Sequence, residues 1–271
     1  MKKTLAMVLA LAAVGGMVSF TGCGKEKTTV TISGSTSVQP LMEELASAYE
    51  EAHGGISIEV NGGGSGVGIS DALLGKNDFG MSSRELKPTE VGLTARRLAT
   101  DGIALVVNQA CAIDGVTADE VYNLYANGVP IGSITAGIAR EASSGTRGAF
   151  DELVKNSEGK DLTELEAFAD GTQTQNSTGN VLTQIATKGN TNLLGYVSLG
   201  SLDETVKALK YDGVEPTVQN IEAGIYRLSR PFNLVVKSGK TLSREAQAFF
   251  DYLFTDEAQE IVESKGYIRV S

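Results

Sequence analysis

Three segments of the sequence place glycine and small hydroxyl residues where a strand pattern gives way to a helix pattern. They span residues 34–37, 62–68 and 143–146. Each puts free backbone N–H groups and hydroxyls at the positive end of a helix dipole, an arrangement that holds an oxyanion without a counter-charge. Arg140 precedes the third segment and offers a planar fork of donors to a tetrahedral anion. One such segment can simply cap a helix, but three in one chain indicate an anion site.

Nucleotide-binding and hydrolase motifs fit these residues poorly. The glycine-rich segment has Ile69 or Ser70 where a dinucleotide fingerprint has its last glycine, and no Gly-Lys-Ser/Thr stands at the P-loop distance. Residues 157–160 match Ser-x-x-Lys, but the companion motifs are missing. A Ser-His-Asp triad would have to recruit the single histidine, His53, from the end of a predicted helix. The sequence therefore favours a binding protein over an enzyme.

Metal and disulfide sites are also disfavoured. The chain has 1 His and 2 Cys, too few for a typical zinc site, so we expect no metal and no cofactor. Cys111 lies between small apolar residues and is predicted to be a half-buried, inert thiol. The other cysteine, Cys23, belongs to the amino-terminal segment, so we expect no structural disulfide.

The amino terminus resembles a secretory leader. Lys2 and Lys3 precede an apolar run over residues 5–20, which predicts a signal peptide over residues 1–22. Residues 20–23, FTGC, resemble a bacterial lipobox, which predicts lipidation of Cys23 and a tether over residues 23–27. The mature chain would then be anchored by lipid on the extracytoplasmic face of the cell membrane. A membrane-spanning anchor is the alternative, but the run is shorter than the roughly 20 residues that a span needs.

Charge excludes another class of partner. The chain has 23 Lys+Arg against 33 Asp+Glu, a formal charge of −10, and loss of two lysines with the leader makes this −10 − 2 = −12. Nucleic acid is not expected as a partner, because its binding needs clustered basic residues. The same charge repels small anions at long range, so any anion site must be built from local donors.

Strand and helix patterns alternate along the chain, which is typical of an α/β fold. Apolar or alternating runs predict strands over residues 29–33, 56–60, 79–82, 102–108, 134–140, 193–199 and 232–236. Helical periodicity predicts helices over residues 39–51, from the glycine-rich segment to 74, and over 117–126, 147–155, 181–187, 243–254 and 256–264. The hydroxyl-rich segments thus fall at strand-to-helix turns.

Several motifs together resemble one protein family. They are the lipobox, ISGSTS at residues 32–37, NGGGSG at 61–66, GMSSREL at 80–86, REASSGTR at 140–147 and LSRP at 228–231. In this order they resemble the substrate-binding lipoproteins of bacterial phosphate ABC transporters, over essentially the whole mature chain. The resemblance implies an α/β, two-lobed periplasmic-binding-protein fold of type II, whose lobes close over one phosphate ion. It also implies the permease and ATPase subunits of such a transporter as partners, and a monomeric protein.

The resemblance implies how the chain divides and which residues bind phosphate. The first lobe would comprise residues 28–107 and 227–271, and the second residues 108–226. The family's ligand contacts fall on a set of hydroxyl, glycine and arginine residues: Thr36, Ser37, Ser65, Ser83, Arg140, Ser144, Gly145 and Thr146. Glu141 and Ser143 would support them from behind.

Two departures from the family pattern concern selectivity. Some members have an acid where Ser83 and Ala142 stand, and the first of these accepts the proton of phosphate, which sulfate lacks. We hypothesise that Glu141 either braces Arg140 or supplies the missing acceptor. The connection between residues 108 and 134 is also shorter than in relatives and lacks a Trp, which affects the permease-facing surface more than the ligand site.

Two rival functions stay open from the sequence. A protein that binds another tetrahedral oxyanion, such as sulfate, molybdate or a phosphonate, would share most of these residues. A secreted serine hydrolase would use one of the serines and turn over an ester.

Overall fold

The computed structural model describes residues 28–270. The predicted signal peptide, the predicted lipidation site Cys23 and the predicted tether lie outside these residues. The strands are β1 (Thr28–Gly34), β2 (Ile56–Gly62), β3 (Phe79–Ser82), β4 (Leu93–Asn108), β5 (Gly115–Val116), β6 (Ala136–Arg140), β7 (Gln173–Gln175), β8 (Leu193–Ser198), β9 (Val206–Ala208), β10 (Lys210–Tyr211), β11 (Ser229–Lys237) and β12 (Ile268–Arg269). The helices are α1 (Gln39–Ala52), α2 (Ser65–Leu74), α3 (Ala118–Asn127), α4 (Gly145–Leu153), α5 (Thr178–Ala186), α6 (Val218–Glu222), α7 (Arg244–Tyr252) and α8 (Asp256–Ser264).

One mixed sheet runs through both halves of the molecule. Its strand order is β2-β1-β3-β11-β4-β8-β6-β7, and β9 and β12 also pair with β4. At one end β1 pairs in parallel with β2 and β3, and at the other end β6 pairs in parallel with β7 and β8. The central pairs β3–β11, β11–β4 and β4–β8 are antiparallel. The parallel ends therefore flank a pair of long strands that belongs to both halves.

Separate apolar cores lie on either side of those long strands. The first packs β1, β3, α1, α7 and α8 and includes Ile32, Leu45 and Phe249. A second packs β6, β8, α3 and α4 and includes Tyr125 and Phe150. Each core buries its own helices against its own strands, which defines two α/β lobes.

The long strands β4 and β11 change from one core to the other within a few residues. On β4, Ala99 packs in the first core and Ile103 in the second. Leu228, just before β11, packs in the second core, and Phe232 on β11 packs in the first. The cores therefore place the changeover near residues 99–103 and 228–232. The lobe limits predicted from the sequence, after 107 and before 227, lie close to these points and stay a prediction.

Two helix starts differ from the sequence-based expectation. Helix α4 begins at Gly145 rather than Arg147, and α5 begins at Thr178 rather than Val181. Their N-caps are Ser144 and Ser177, whose hydroxyls accept hydrogen bonds from the backbone N–H groups three residues on. Hydroxyl and glycine residues lowered the apolar periodicity of the first turns, so the pattern placed both helices too late.

No helix among residues 28–270 is long and apolar enough to cross a membrane. The same residues contain no cluster of three or more His, Cys, Asp or Glu side chains suited to a metal ion. Cys111 is a free thiol and is fully buried rather than half-buried. His53 caps the carboxyl end of α1 and stacks on Tyr49, with ring centroids 4.0 Å apart.

Candidate functional site

The first lobe brings three strand ends to one edge of the sheet. Because β1, β2 and β3 are parallel, the residues that follow them emerge side by side. Ser35, Thr36 and Ser37 follow β1, Ser65 begins α2 shortly after β2, and Ser83 follows β3. The hydroxyl residues predicted from separate segments therefore meet at the carboxyl end of one parallel sheet.

The second lobe repeats this arrangement. Strand β6 ends at Arg140 and leads into α4, which begins with Gly145 and Thr146. Its parallel neighbour β7 leads into α5, which begins with Thr178. The carboxyl ends of β6 and β7 thus present an arginine and two threonine hydroxyls toward the first lobe.

Side chains from both lobes join in a buried hydrogen-bonded group, here called the hydroxyl cluster: Ser35, Thr36, Ser37, Ser65, Ser83, Thr146 and Thr178. Across the lobes, the hydroxyl oxygen of Ser37 lies 2.8 Å from that of Thr146 and 3.0 Å from that of Thr178. Within the first lobe the Ser35 hydroxyl donates to Ser83 Oγ at 2.9 Å. All members except Thr36 are buried. A ligand can reach this cluster only when the lobes separate.

Arg140 is the charged member of the site. Its side chain is 1% exposed, its Nη1 donates to Thr178 Oγ1 at 3.2 Å, and its Nη2 donates to Thr36 Oγ1 at 2.9 Å. The Arg140 backbone N–H donates to the Tyr196 hydroxyl at 3.0 Å, and Arg147 donates to the Arg140 carbonyl at 3.2 Å. The main-chain bonds hold the backbone of Arg140 in place, and the bonds to Thr36 and Thr178 direct its guanidinium.

Glu141 braces that guanidinium. Its two carboxylate oxygens accept from Arg140 Nε at 2.8 Å and from Nη2 at 2.9 Å. Because both oxygens already accept from Arg140, the geometry favours the hypothesis that Glu141 holds Arg140 in place over the hypothesis that it accepts the ligand proton. A bidentate pair also offsets the charge of a nearly fully buried guanidinium, which is costly to bury alone.

Ser144 and Gly145 lie at the start of α4, beside the cluster. The Ser144 hydroxyl accepts from the Arg147 backbone N–H at 3.2 Å, so it is engaged as the helix cap. A Cβ on Gly145 would lie 2.2 Å from Ser65 Oγ and 2.8 Å from Ser83 Oγ. Glycine at this position is therefore required for the two lobes to approach, and it leaves the first N–H groups of α4 facing the cluster.

The structure brings together all eight residues that the sequence analysis carried over as ligand contacts. It adds Ser35, which lies in the first of the three predicted segments but was not among the expected ligand contacts, and Thr178, which lies outside all three segments. Thr178 belongs to a fourth strand-to-helix turn, NSTG at residues 176–179. The small hydroxyl residues and glycine there are the same signal as in the other three segments, but β7 is too short and polar to be recognised as a strand.

Ser143, expected to support the ligand contacts from behind, lies at the junction of the two lobes. It packs against the glycine-rich segment of the first lobe, where its hydroxyl faces the Gly63 carbonyl at 3.4 Å. It makes no hydrogen bond to the hydroxyl cluster among the described residues. Its position at the junction of the lobes suggests a role other than ligand contact.

A fold of two α/β lobes with a buried polar site between them defines a two-lobed substrate-binding protein. A family model for the PBP superfamily domain matches residues 21–257. The phosphate-binding protein PstS of Bacillus subtilis is 30% identical over 271 residues, covering 92% of this chain and 83% of that protein. The chain therefore belongs to the PstS family of phosphate-binding proteins, within the PBP superfamily.

Other relatives agree with this assignment. The phosphate-binding protein PstS 2 of Streptococcus agalactiae serotype V is 43% identical over 136 residues, which cover 48% of this chain and 44% of that protein. The chain thus spans about half the length of the streptococcal relatives it matches. A crystal structure from Clostridium perfringens, described as a phosphate ABC transporter substrate-binding protein with bound phosphate, is 34% identical with a TM-score of 0.81. That likeness covers 90% of this chain and 100% of that one.

Proposed function

We propose that the protein binds inorganic phosphate outside the cytoplasm and delivers it to the permease of an ABC transporter. The observation that carries this is the buried hydroxyl cluster around Arg140, built by both lobes at the carboxyl ends of parallel strands. Such a site offers many short-range donors to a small tetrahedral anion. The relatives' names and the phosphate in the Clostridium perfringens structure support the choice of ligand.

The proposed phosphate contacts are the residues carried over from the family, with Ser35 and Thr178 added. The hydroxyls of the cluster donate to the anion in place of the bonds they make to one another, and Arg140 supplies the charge-assisted bonds. Each charge-assisted bond contributes about 1.5–3 kcal/mol. Since donors come from both lobes, phosphate stabilises the closed arrangement, which is the form recognised by the permease.

Selectivity for phosphate over sulfate has to rest on hydroxyl oxygens. Among residues 28–270, Glu141 is the carboxylate that touches Arg140, and Arg140 engages both of its oxygens. Hydroxyls accept as well as donate. Ser83 already accepts from Ser35, which shows that its lone pairs face the cluster. We therefore assign Ser83 as the acceptor for the phosphate proton.

A hydrolase is not favoured by the geometry. The cluster serines Ser35, Ser37, Ser65 and Ser83 are hydrogen-bonded to hydroxyls and backbone groups, not to a histidine or carboxylate, in the described part of the chain. His53, which could act as a base, is exposed and its Nδ1 lies 3.0 Å from the Tyr49 carbonyl of its own helix. A general base for a serine nucleophile is therefore missing from this site.

The cellular setting completes the proposal. The predicted lipid on Cys23 holds a monomeric protein at the outer face of the cell membrane, next to the permease and its ATPase. Labelling of growing cells with a fatty acid, compared with a Cys23→Ala variant, tests the anchor. Loss of label and release of the variant from the membrane fraction are expected, and a variant that keeps its label contradicts lipidation at Cys23.

The experiment that tests the ligand is calorimetric titration of the full-length protein with phosphate and then with sulfate. We expect one phosphate site per chain, and phosphate to displace sulfate. Tighter binding of sulfate than of phosphate would assign the chain to the rival oxyanion class. Turnover of a phosphate or acyl ester would instead favour the hydrolase.

A further inference from the structure

The glycine-rich segment at residues 62–68, which runs from the end of β2 into α2, has a second face that does not point at the hydroxyl cluster. Ser65 is turned toward the cluster, whereas Gly64 and Gly66 lie against Ser143 of the second lobe. The Gly66 backbone N–H donates to the Ser143 carbonyl at 2.8 Å, and the Ser143 hydroxyl lies 3.4 Å from the Gly63 carbonyl. Backbone groups of the two lobes are thus bonded directly at this point.

The glycines allow this close contact. A Cβ on Gly64 would lie 2.7 Å from Ser143 Oγ, 3.0 Å from the Ser143 carbonyl oxygen and 3.2 Å from Glu141 Oε1. Gly64 also has φ +92°, which a residue with a side chain rarely adopts. At Gly66 a Cβ would lie 3.4 Å from Ser143 Cα, in ordinary contact. Any side chain at position 64 would therefore push Ser143 and Glu141 away from the first lobe.

We propose that Gly63, Gly64 and Gly66 form a latch with Ser143 that holds the lobes closed, separate from the residues that contact phosphate. The Gly66–Ser143 backbone bond forms as the lobes meet and breaks as they part. Glu141 Oε1 lies 3.2 Å from the position that a Cβ on Gly64 would occupy, so closing the latch brings Gly64 beside the carboxylate that holds Arg140 in place. The latch positions the two lobes and does not itself contact the ligand. This inference rests on the proposed function only for the identity of the enclosed ion, phosphate.

A cross-link tests the lobe contact without any ligand. A Cβ on Gly66 would lie 3.5 Å from Ser143 Cβ, within the range of about 3.5–4.5 Å found across disulfides. The double variant Gly66→Cys with Ser143→Cys is expected to form this disulfide on mild oxidation, as read by mass spectrometry of peptides. Each single variant serves as control for Cys23 and Cys111. Absence of the cross-link in the double variant overturns the latch.

A substitution pair tests whether the latch controls affinity. Gly64→Ala is expected to weaken phosphate binding at least about tenfold, since apparent affinity falls with the population of the closed state. Gly55→Ala is the matched control, because Gly55 has φ +95° and no atom within 4 Å of an added Cβ. Equal phosphate affinities of the two variants in calorimetry overturn the latch.

Gly64→Ala could also weaken binding by displacing Ser65, the next residue, and a rescue variant distinguishes this effect from loss of the latch. Adding Ser143→Ala to Gly64→Ala removes the nearest clash, that with Ser143 Oγ, so part of the lost affinity is expected to return. No recovery contradicts the latch. If the unaltered protein binds no phosphate, the proposed function fails, while the cross-link still reports on the latch.

Discussion

Arg140 shows how an acidic protein can bind an anion. The chain carries a formal charge of −10, which loss of the predicted leader would make −12, yet the donors around Arg140 act over a few ångströms in a buried site where water screens weakly. Glu141 offsets part of the arginine charge and fixes its direction. The site therefore depends on placed hydrogen bonds more than on net charge.

Glu141→Gln tests this arrangement at the level of one side chain. Gln retains one acceptor oxygen, so one of the two bonds to Arg140 is lost. We expect phosphate affinity to fall about two- to tenfold, the equivalent of about 0.4–1.4 kcal/mol. The ratio of phosphate to sulfate affinity should not change, because Glu141 does not accept from the ligand. Calorimetry that shows an altered ratio would assign Glu141 as the proton acceptor instead.

At the level of secondary-structure elements, most residues of the site lie at the first turns of helices that follow strands. Three of the four strand-to-helix turns could be predicted from glycine and hydroxyl residues, together with the family resemblance. The fourth, before α5, could not, because β7 spans only Gln173–Gln175 and has no apolar alternation. The dual contacts of Arg140 with Thr36 and Thr178 also depend on how the lobes pack, which local sequence does not encode.

Thr178→Val tests the fourth helix start. The variant keeps the shape of the side chain but removes the hydroxyl that lies between Ser37 and Arg140. Phosphate affinity should fall about two- to tenfold, as for one net hydrogen bond. Thr183→Val, on the exposed side of the same helix, is the control and should bind as the unaltered protein does. Equal calorimetric affinities of both variants would remove Thr178 from the site.

Helix α4 also carries a carboxyl group that couples stability to pH. Burial raises the pKa of Asp151 from 3.8 to about 7, although the Arg147 guanidinium 3.4 Å away lowers it. Asp161 and Glu152 raise it further, and Asp151 Oδ1 is buried with no hydrogen-bond partner. Between these two values the folded protein holds a proton that the unfolded chain has released, so stability falls as pH rises from about 4 to about 7.

Asp151→Asn is expected to remove this dependence. The variant should unfold at a higher temperature than the unaltered protein at about pH 8, with a gain of at most about 4 kcal/mol, and should show little gain at about pH 4. Glu152→Gln, an exposed neighbour, controls for the loss of one negative charge. Thermal unfolding with the same difference at both pH values would contradict the assignment.

The two lobes share a buried ion pair where the chain crosses between them. Arg230 faces Asp101 in the β4–β11 register, and Arg230 Nη2 lies 3.0 Å from Asp101 Oδ2 with both side chains at most 1% exposed. The Ser198 hydroxyl donates to the other Asp101 oxygen at 2.9 Å. Burial raises the pKa of Asp101 and lowers that of Arg230, while each partner opposes the shift of the other. The ion pair and the bond from Ser198 on β8 therefore connect β4 and β11 to the second lobe.

Asp101→Asn tests whether the buried ion pair stabilises the fold of the whole molecule where the chain crosses between the lobes. It leaves the Arg230 charge buried and unpaired, which should lower the free energy of unfolding by about 3–5 kcal/mol. Adding Arg230→Met removes that charge and should recover most of the loss. Denaturant unfolding measures both. A loss below about 1 kcal/mol for Asp101→Asn would show that the pair is not needed to hold the crossing.

Titration of the unaltered protein and of Arg140→Ala with phosphate tests the central claim most directly. We predict one phosphate per chain and affinity at least about tenfold weaker in the variant, equivalent to about 1.4 kcal/mol. Arg97→Ala, which removes an exposed arginine of the first lobe, should bind as the unaltered protein does. Equal affinity in Arg140→Ala, or no binding by the unaltered protein, would contradict the account.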